Sequence, residues 1–176
     1  MTTTLVPLIR RAVLGDLDSI VQIWLQSSPS ALSPNADKNC ADVYQQRIAR
    51  HTGHNMGIWV AEHPASGRLL GFQSLLPFGQ HPGIRDFHAE SSTYVDAEYQ
   101  RSGVGRALLT HTLSLPTELH TIFGIIPNGQ THSHRLVSSL GFEKVSNIGR
   151  PSVATLYAFY PKHSQETETT FVPLDS

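Results

Sequence analysis

A single cysteine, Cys40, stands among 176 residues. No internal disulfide can form, and every zinc site built on paired cysteines is excluded. Charge of one sign is also missing, since thirteen Lys and Arg face fourteen Asp and Glu, for a formal net charge of −1. That balance advertises neither a nucleic-acid backbone nor an acidic membrane surface. No apolar run approaches the length that spans a bilayer. The opening "MTTTLVPLIRRAV" lacks the basic start and long apolar stretch of a signal peptide. The expectation is a reduced, cytoplasmic protein with no nucleic-acid or membrane partner. Ten histidines are present, yet neither His51/His54 nor His132/His134 has a carboxylate at metal-site spacing, so no metal is expected.

What is present is ordinary globular material: 39% hydrophobic and 15% charged residues, at a length that suits one domain. Residues 1–162 are read as that domain and residues 163–176 as a polar tail. "LVPLIRRAV" (Leu5 to Val13) reads as a strand. A helix follows, capped by Asp16 or Asp18, with Ile20, Ile23 and Trp24 on one face. "SSPSALSPNADKN" reads as a loop and Ala41 to His51 as a polar helix. "MGIWVAEH" and "RLLGFQSLL" form a hairpin around "PASG", and "QHPGIR" is a turn. Next come a polar strand, "FHAESSTYVDA", a helix from Val104 to Leu115, the strand "ELHTIFGII" and a short helix ending at Gly141. "FEKV" and "ATLYAFY" close the chain as two strands. The order is that of an α/β (α+β) domain, neither a run of βαβ units nor a bundle.

One corner carries chemistry. Between the polar strand and the following helix the chain reads "YQRSGVGRALL", with Gly103 and Gly105 flanking Val104. Glycine takes positive φ and lets other groups approach its backbone. A helix starting there presents unpaired N–H groups and the positive end of its dipole, an anion site by construction. Arg101 and Arg106 flank it and can add charge-assisted contacts. A P-loop needs a lysine that is missing, and a dinucleotide fingerprint needs a small residue where Leu108 stands.

The polar strand is the second feature. Alternation places His88, Glu90, Ser92 and Tyr94 on one face, with Ala89, Ser91, Thr93 and Val95 on the other. A strand this polar either sits in solvent or lines a polar cleft.

Gln100, Gly103 and Gly105 form Q-x-x-G-x-G on a strand-loop-helix, which resembles the pyrophosphate loop of the GNAT superfamily of acyl-CoA-dependent N-acyltransferases. The order of elements is similar over Leu5 to Tyr160. The run with Phe87, Glu90, Ser91, Tyr94 and Val95 resembles the phosphinothricin and methionine sulfoximine N-acetyltransferase group.

The resemblance implies a single domain with a mixed, mostly antiparallel central sheet flanked by helices. It implies acetyl-CoA as donor, a small amine as acceptor (an amino acid or its analogue among the candidates), and a homodimer as one possible assembly. Cofactor contacts would come from Tyr94, Val95, Gln100, Arg101, Ser102, Gly103, Val104, Gly105, Arg106 and Ser133. Glu90 would be the catalytic carboxylate, since an ammonium has no lone pair and a base must take its proton. His88, Ser92 and Arg85 would meet the acceptor, Arg85 either gripping a substrate carboxylate or lying idle on the surface.

The sequence departs from the family pattern in two places. Gln130 stands where relatives carry asparagine, and Val137 where many carry a tyrosine that protonates the leaving thiolate. Two other readings therefore stay open: a non-catalytic acyl-CoA sensor, and an acetyltransferase acting on protein or peptide amines.

Overall fold

The structure is a computed structural model that describes residues 5–27, 36–50, 56–79 and 81–162. The "SSPSALSPNADKN" loop lies mostly outside these residues, and the 163–176 tail wholly so.

Strand β1 runs over Leu8–Arg11, shorter than the sequence suggests. The reason is Asp16. Its carboxylate accepts the Val13 N–H at 2.8 Å and both Arg10 Nη atoms at 2.8 and 3.0 Å, folding the chain out of the strand. Asp16 thus fastens a 3-10 turn, Leu14–Asp16, rather than capping helix α1 (Leu17–Ser27). Burial alone would raise the Asp16 pKa, but the hydrogen bonds from Arg10 and Val13 outweigh it and hold it below the ordinary value. A depressed carboxylate adds stability above its unfolded pKa, and that stability fades as pH falls through the folded one. Asp16→Asn is therefore expected to cost about 1–2 kcal/mol at pH 7, reduced by the exposure of Arg10. In urea melts the gap to wild type should close below about pH 4.

Helix α2 spans Ala36–Ala49, beginning five residues before the expected start. The last proline before it is Pro34, so nothing after Ala36 breaks a helix. Cys40, Tyr44 and Ile48, each four apart, bury the one apolar stripe of this polar helix. Burial pushes the Cys40 thiol up to about 11, which keeps it an inert packing residue.

Strands β2 (Gly57–Glu62) and β3 (Leu69–Pro77) form the expected hairpin. "HPGIR" is a short helix, α3 (Pro82–Arg85), instead of a plain turn, because His81 Nδ1 accepts the Gly83 N–H and Pro82 opens the helix. Then follow β4 (His88–Val95), α4 (Val104–Leu113), β5 (Thr121–Pro127), α5 (Thr131–Ser139), β6 (Glu143–Ile148) and β7 (Ala154–Phe159).

The sheet has seven strands in the order β1-β2-β3-β4-β5-β7-β6, antiparallel throughout except for the β4–β5 pair. Helices α1 and α2 pack on one face against Ile58, Val60 and Phe72. On the other face α4 and α5 bring Val104, Leu108 and Val137 against Trp59, Leu75, Ala89 and Ile122. The fold is the mixed, mostly antiparallel sheet flanked by helices that the sequence implies. Among the described residues no helix is long and apolar enough to cross a membrane.

Candidate active site

The parallel pair at the centre of the sheet is short. β4 and β5 register only at His88–Thr121, Ala89–Ile122 and Glu90–Phe123. Beyond that point β4 continues with β3 as far as Val95, while β5 continues with β7 as far as Pro127. The two central strands part at Glu90 and leave a wedge between them. Along the wedge β4 has a neighbour on one side only, so its residues Ser91 to Val95 are half-buried rather than core.

The polar strand lines this wedge. On the α4 side, fully buried Gln73 donates from Nε2 to Ser91 Oγ at 2.7 Å and accepts the Thr93 hydroxyl proton on Oε1. This amide locks two side chains of β4 across the β3–β4 register. Sequence reasoning passed over Gln73, although a Gln-Ser pair inside an otherwise apolar strand was a usable signal.

The glycine loop sits where β4 ends. Gly103 has φ +93° and Arg101 φ +62°, two left-handed residues one apart. A Cβ on Gly103 would touch nothing within 4 Å, so the backbone angle and not crowding calls for glycine there. α4 starts at Val104, and its first helical bond runs from Ala107 N to Gly103 O. The N–H groups of Val104, Gly105 and Arg106 have no acceptor inside the helix. A Cβ on Gly105 would face Val95, Thr93 and Leu136, so this first turn closes the wedge between β4 and α5.

Charge around the loop is arranged for an anion. Asp96 and Glu98 would repel one, but Arg68 pairs with both, at 3.1 and 2.7 Å. Arg106 reaches Ser139 Oγ at 2.9 Å, and neither it nor the exposed Arg101 has an acidic partner among the described residues. Gln100, Ser102 and Arg101 are exposed at the mouth. These features fit the pyrophosphate of a coenzyme.

Other expected cofactor contacts divide. Val104 is buried in the core, so only its N–H faces the loop. Val95 packs partly buried against that core. Tyr94 does not join the loop by its side chain: its ring stacks on Phe72 at 5.0 Å, on the α1/α2 face. Alternation rightly placed it with Glu90, but α4 covers the opposite face. Burial raises the Tyr94 phenol above its ordinary pKa, and the nearby Glu90 carboxylate adds to the rise. Ser133, on the first turn of α5, donates to Gln130 Oε1 at 3.2 Å. Val137 is buried against the core and offers no hydroxyl. One turn earlier, His134 joins Tyr157 Oη at 2.9 Å and the Pro127 carbonyl at 3.1 Å, tying α5 to β5 and β7.

On the acceptor side, Glu90 is half-buried where the strands part and has no ion pair among the described residues. His88 and Ser92 share its face by alternation. Among the described residues His88 Nδ1 is buried without a hydrogen-bond partner. Arg85, on α3, is exposed and its Nε lies 3.9 Å from Asp86.

A sheet split at its centre, with a glycine-opened helix over one end of the split, is the arrangement that sequence comparison names. The acetyltransferase (GNAT) domain profile matches residues 54–144, just over half of the chain, and the chain belongs to that family. No curated protein matches it in sequence. Solved structures share the fold at low identity. An N-acetyltransferase from Staphylococcus aureus Mu50 is 20% identical with a TM-score of 0.73, covering 89% of this chain and 99% of its own. A ribosomal-protein-alanine N-acetyltransferase from Brucella melitensis is 23% identical with a TM-score of 0.70, over 87% and 99%. A GNAT superfamily phosphinothricin acetyltransferase from Sinorhizobium meliloti, in complex with AcCoA, is 21% identical with a TM-score of 0.70, over 93% and 97%.

Proposed function

We propose that this protein transfers an acetyl group from acetyl-CoA to the primary amine of a small molecule, by direct attack in a ternary complex. The observation that carries the reading is Glu90, a half-buried carboxylate with no ion pair among the described residues, at the point where β4 and β5 separate. The glycine loop supports acetyl-CoA as donor: its pyrophosphate would take the N–H groups of Val104 to Arg106 with Arg101 beside them, and the thioester arm would enter the wedge. Two of the solved structures that share this fold are described with acetyl-CoA.

The chemistry follows from the groups in place. The amine reaches Glu90 and gives up a proton to it, directly or through one water. Its lone pair forms the new N–C bond and main-chain N–H groups of β4 along the wedge stabilise the oxyanion; as the C–S bond breaks, the nitrogen gives its second proton to the departing thiolate or to water. The CoA thiolate leaves without a tyrosine at Val137, which is tolerable because thiols are far more acidic than amines. Ser92, His88 and Arg85 are the acceptor contacts we assign.

The test is steady-state release of CoA over a panel of amines, with an N-terminal alanine peptide included. Release with a small amine supports the reading. Release with the peptide alone would shift the acceptor to protein, and acetyl-CoA binding without any turnover would make the domain a sensor.

A further inference from the structure

Five rings form a continuous chain of contacts that runs from beside Glu90 to the starts of β4 and β5. Phe78 lies 4.4 Å from Phe123, centroid to centroid, and Phe123 lies 6.2 Å from His88. His88 meets His120 edge-on at 6.0 Å, and His120 stacks on Phe87 at 4.9 Å. None of the five is fully buried, and Phe87 is 39% exposed. A hydrophobic core would have hidden these rings, as it hides Trp59 and Phe72.

Their position is tied to the site by register. Phe123 is the β5 partner of Glu90, and His88 is two residues before Glu90 on the same face of β4. Phe78 continues the β3–β4 ladder, donating its N–H to the His88 carbonyl at 2.8 Å. The patch therefore adjoins the carboxylate at the head of the wedge. Charge narrows what it can hold. β3, β4 and β5 carry no lysine or arginine, and Arg85 at the rim has Asp86 beside it. An acceptor with an anionic tail would find little compensation here, while a flat neutral ring would stack on the exposed faces.

We infer that the acceptor is a primary amine carried on a short arm from a planar aromatic or heteroaromatic ring, the ring lying on Phe123 and Phe78 and the amine at Glu90. This rests on the acetyltransferase reading above.

The experiment compares kcat/KM for 2-phenylethylamine, n-butylamine, 1,4-diaminobutane and glutamate, by CoA release, in wild type and in Phe123→Leu. Wild type should favour the aryl amine over each of the others by tenfold or more. In Phe123→Leu the ratio of aryl to linear amine should collapse at least tenfold, while the acetyl-CoA melting shift persists. Phe78→Leu should act in the same direction and serves if Phe123→Leu does not fold. Preference for glutamate or the diamine overturns the inference and leaves the acetyltransferase reading standing. Equal loss for all amines, with a dimer dispersing in light scattering, would make the patch an interface between copies and overturn it as well. Silence of the whole panel with an intact acetyl-CoA shift removes the small-amine reading and this inference together.

Discussion

Glu90→Gln should lower kcat/KM for the amine by about 10²–10³ at neutral pH while leaving acetyl-CoA affinity unchanged. The substitution keeps shape and polarity and removes only the ability to hold a proton. Glu90 makes no ion pair among the described residues, so the variant forfeits no salt bridge and should melt within about 0.5 kcal/mol of wild type. The glycine loop lies past the far end of β4, which separates rate from cofactor binding. Raising the pH should shrink the deficit, because the amine then loses its proton to bulk solvent and no longer depends on a base at Glu90. Unchanged kcat/KM would take Glu90 out of the mechanism. Loss of cofactor binding together with rate would make it a structural residue instead.

The features legible in the sequence were those carried by neighbours in the chain. Gln100, Gly103 and Gly105 are close together, so spacing alone set a left-handed turn before a helix, and the φ of Gly103 bears that out. Alternation told which residues of β4 share a face, and the structure keeps Glu90, Ser92 and Tyr94 together on the face that α1 and α2 share. It could not tell which face α4 would cover. The resemblance gives Tyr94 to the cofactor, and its ring lies with Phe72 on the α1/α2 face.

What escaped the sequence depends on distant segments. The wedge exists because β7 inserts between β5 and β6 and holds β5 to Pro127, after β4 has committed to β3. No local pattern encodes how far two central strands stay paired. The ring patch draws His88 and Phe123 from two strands, and Phe78, Phe87 and His120 from the segments just outside β3, β4 and β5. Phe87 and His88 stand out in the sequence through the family motif and the polar strand, but Phe78, His120 and Phe123 read singly as ordinary residues. Only the fold turns them into a surface next to a carboxylate.

Saturating acetyl-CoA should raise the melting temperature, and Arg101→Gly should remove most of that rise without unfolding the protein. A ligand at about a hundred times its Kd stabilises by ~2.7 kcal/mol, which for a chain of this size is on the order of 5–10 °C. Arg101 is the one non-glycine with positive φ among the described residues, at +62°. An L-residue in that region costs roughly 1–2 kcal/mol, and glycine would relieve it. Glycine also loses more chain entropy on folding, by roughly 0.5–1 kcal/mol, which offsets part of that relief, so the unliganded melt should hold or rise slightly. A positive-φ arginine that glycine could replace at no cost to the fold is the position at which the proposed phosphate contact is best tested. With Asp96 and Glu98 already neutralised by Arg68, that charge is available to a phosphate at the mouth of the loop. Gly103→Ala supplies the contrast: open space surrounds its Cβ, so any loss of unliganded stability, about 1–2 kcal/mol, comes from the backbone angle. A full acetyl-CoA shift in Arg101→Gly would sink the role given to that side chain. No shift in wild type would sink the phosphate loop itself, and with it the donor on which every step at Glu90 depends.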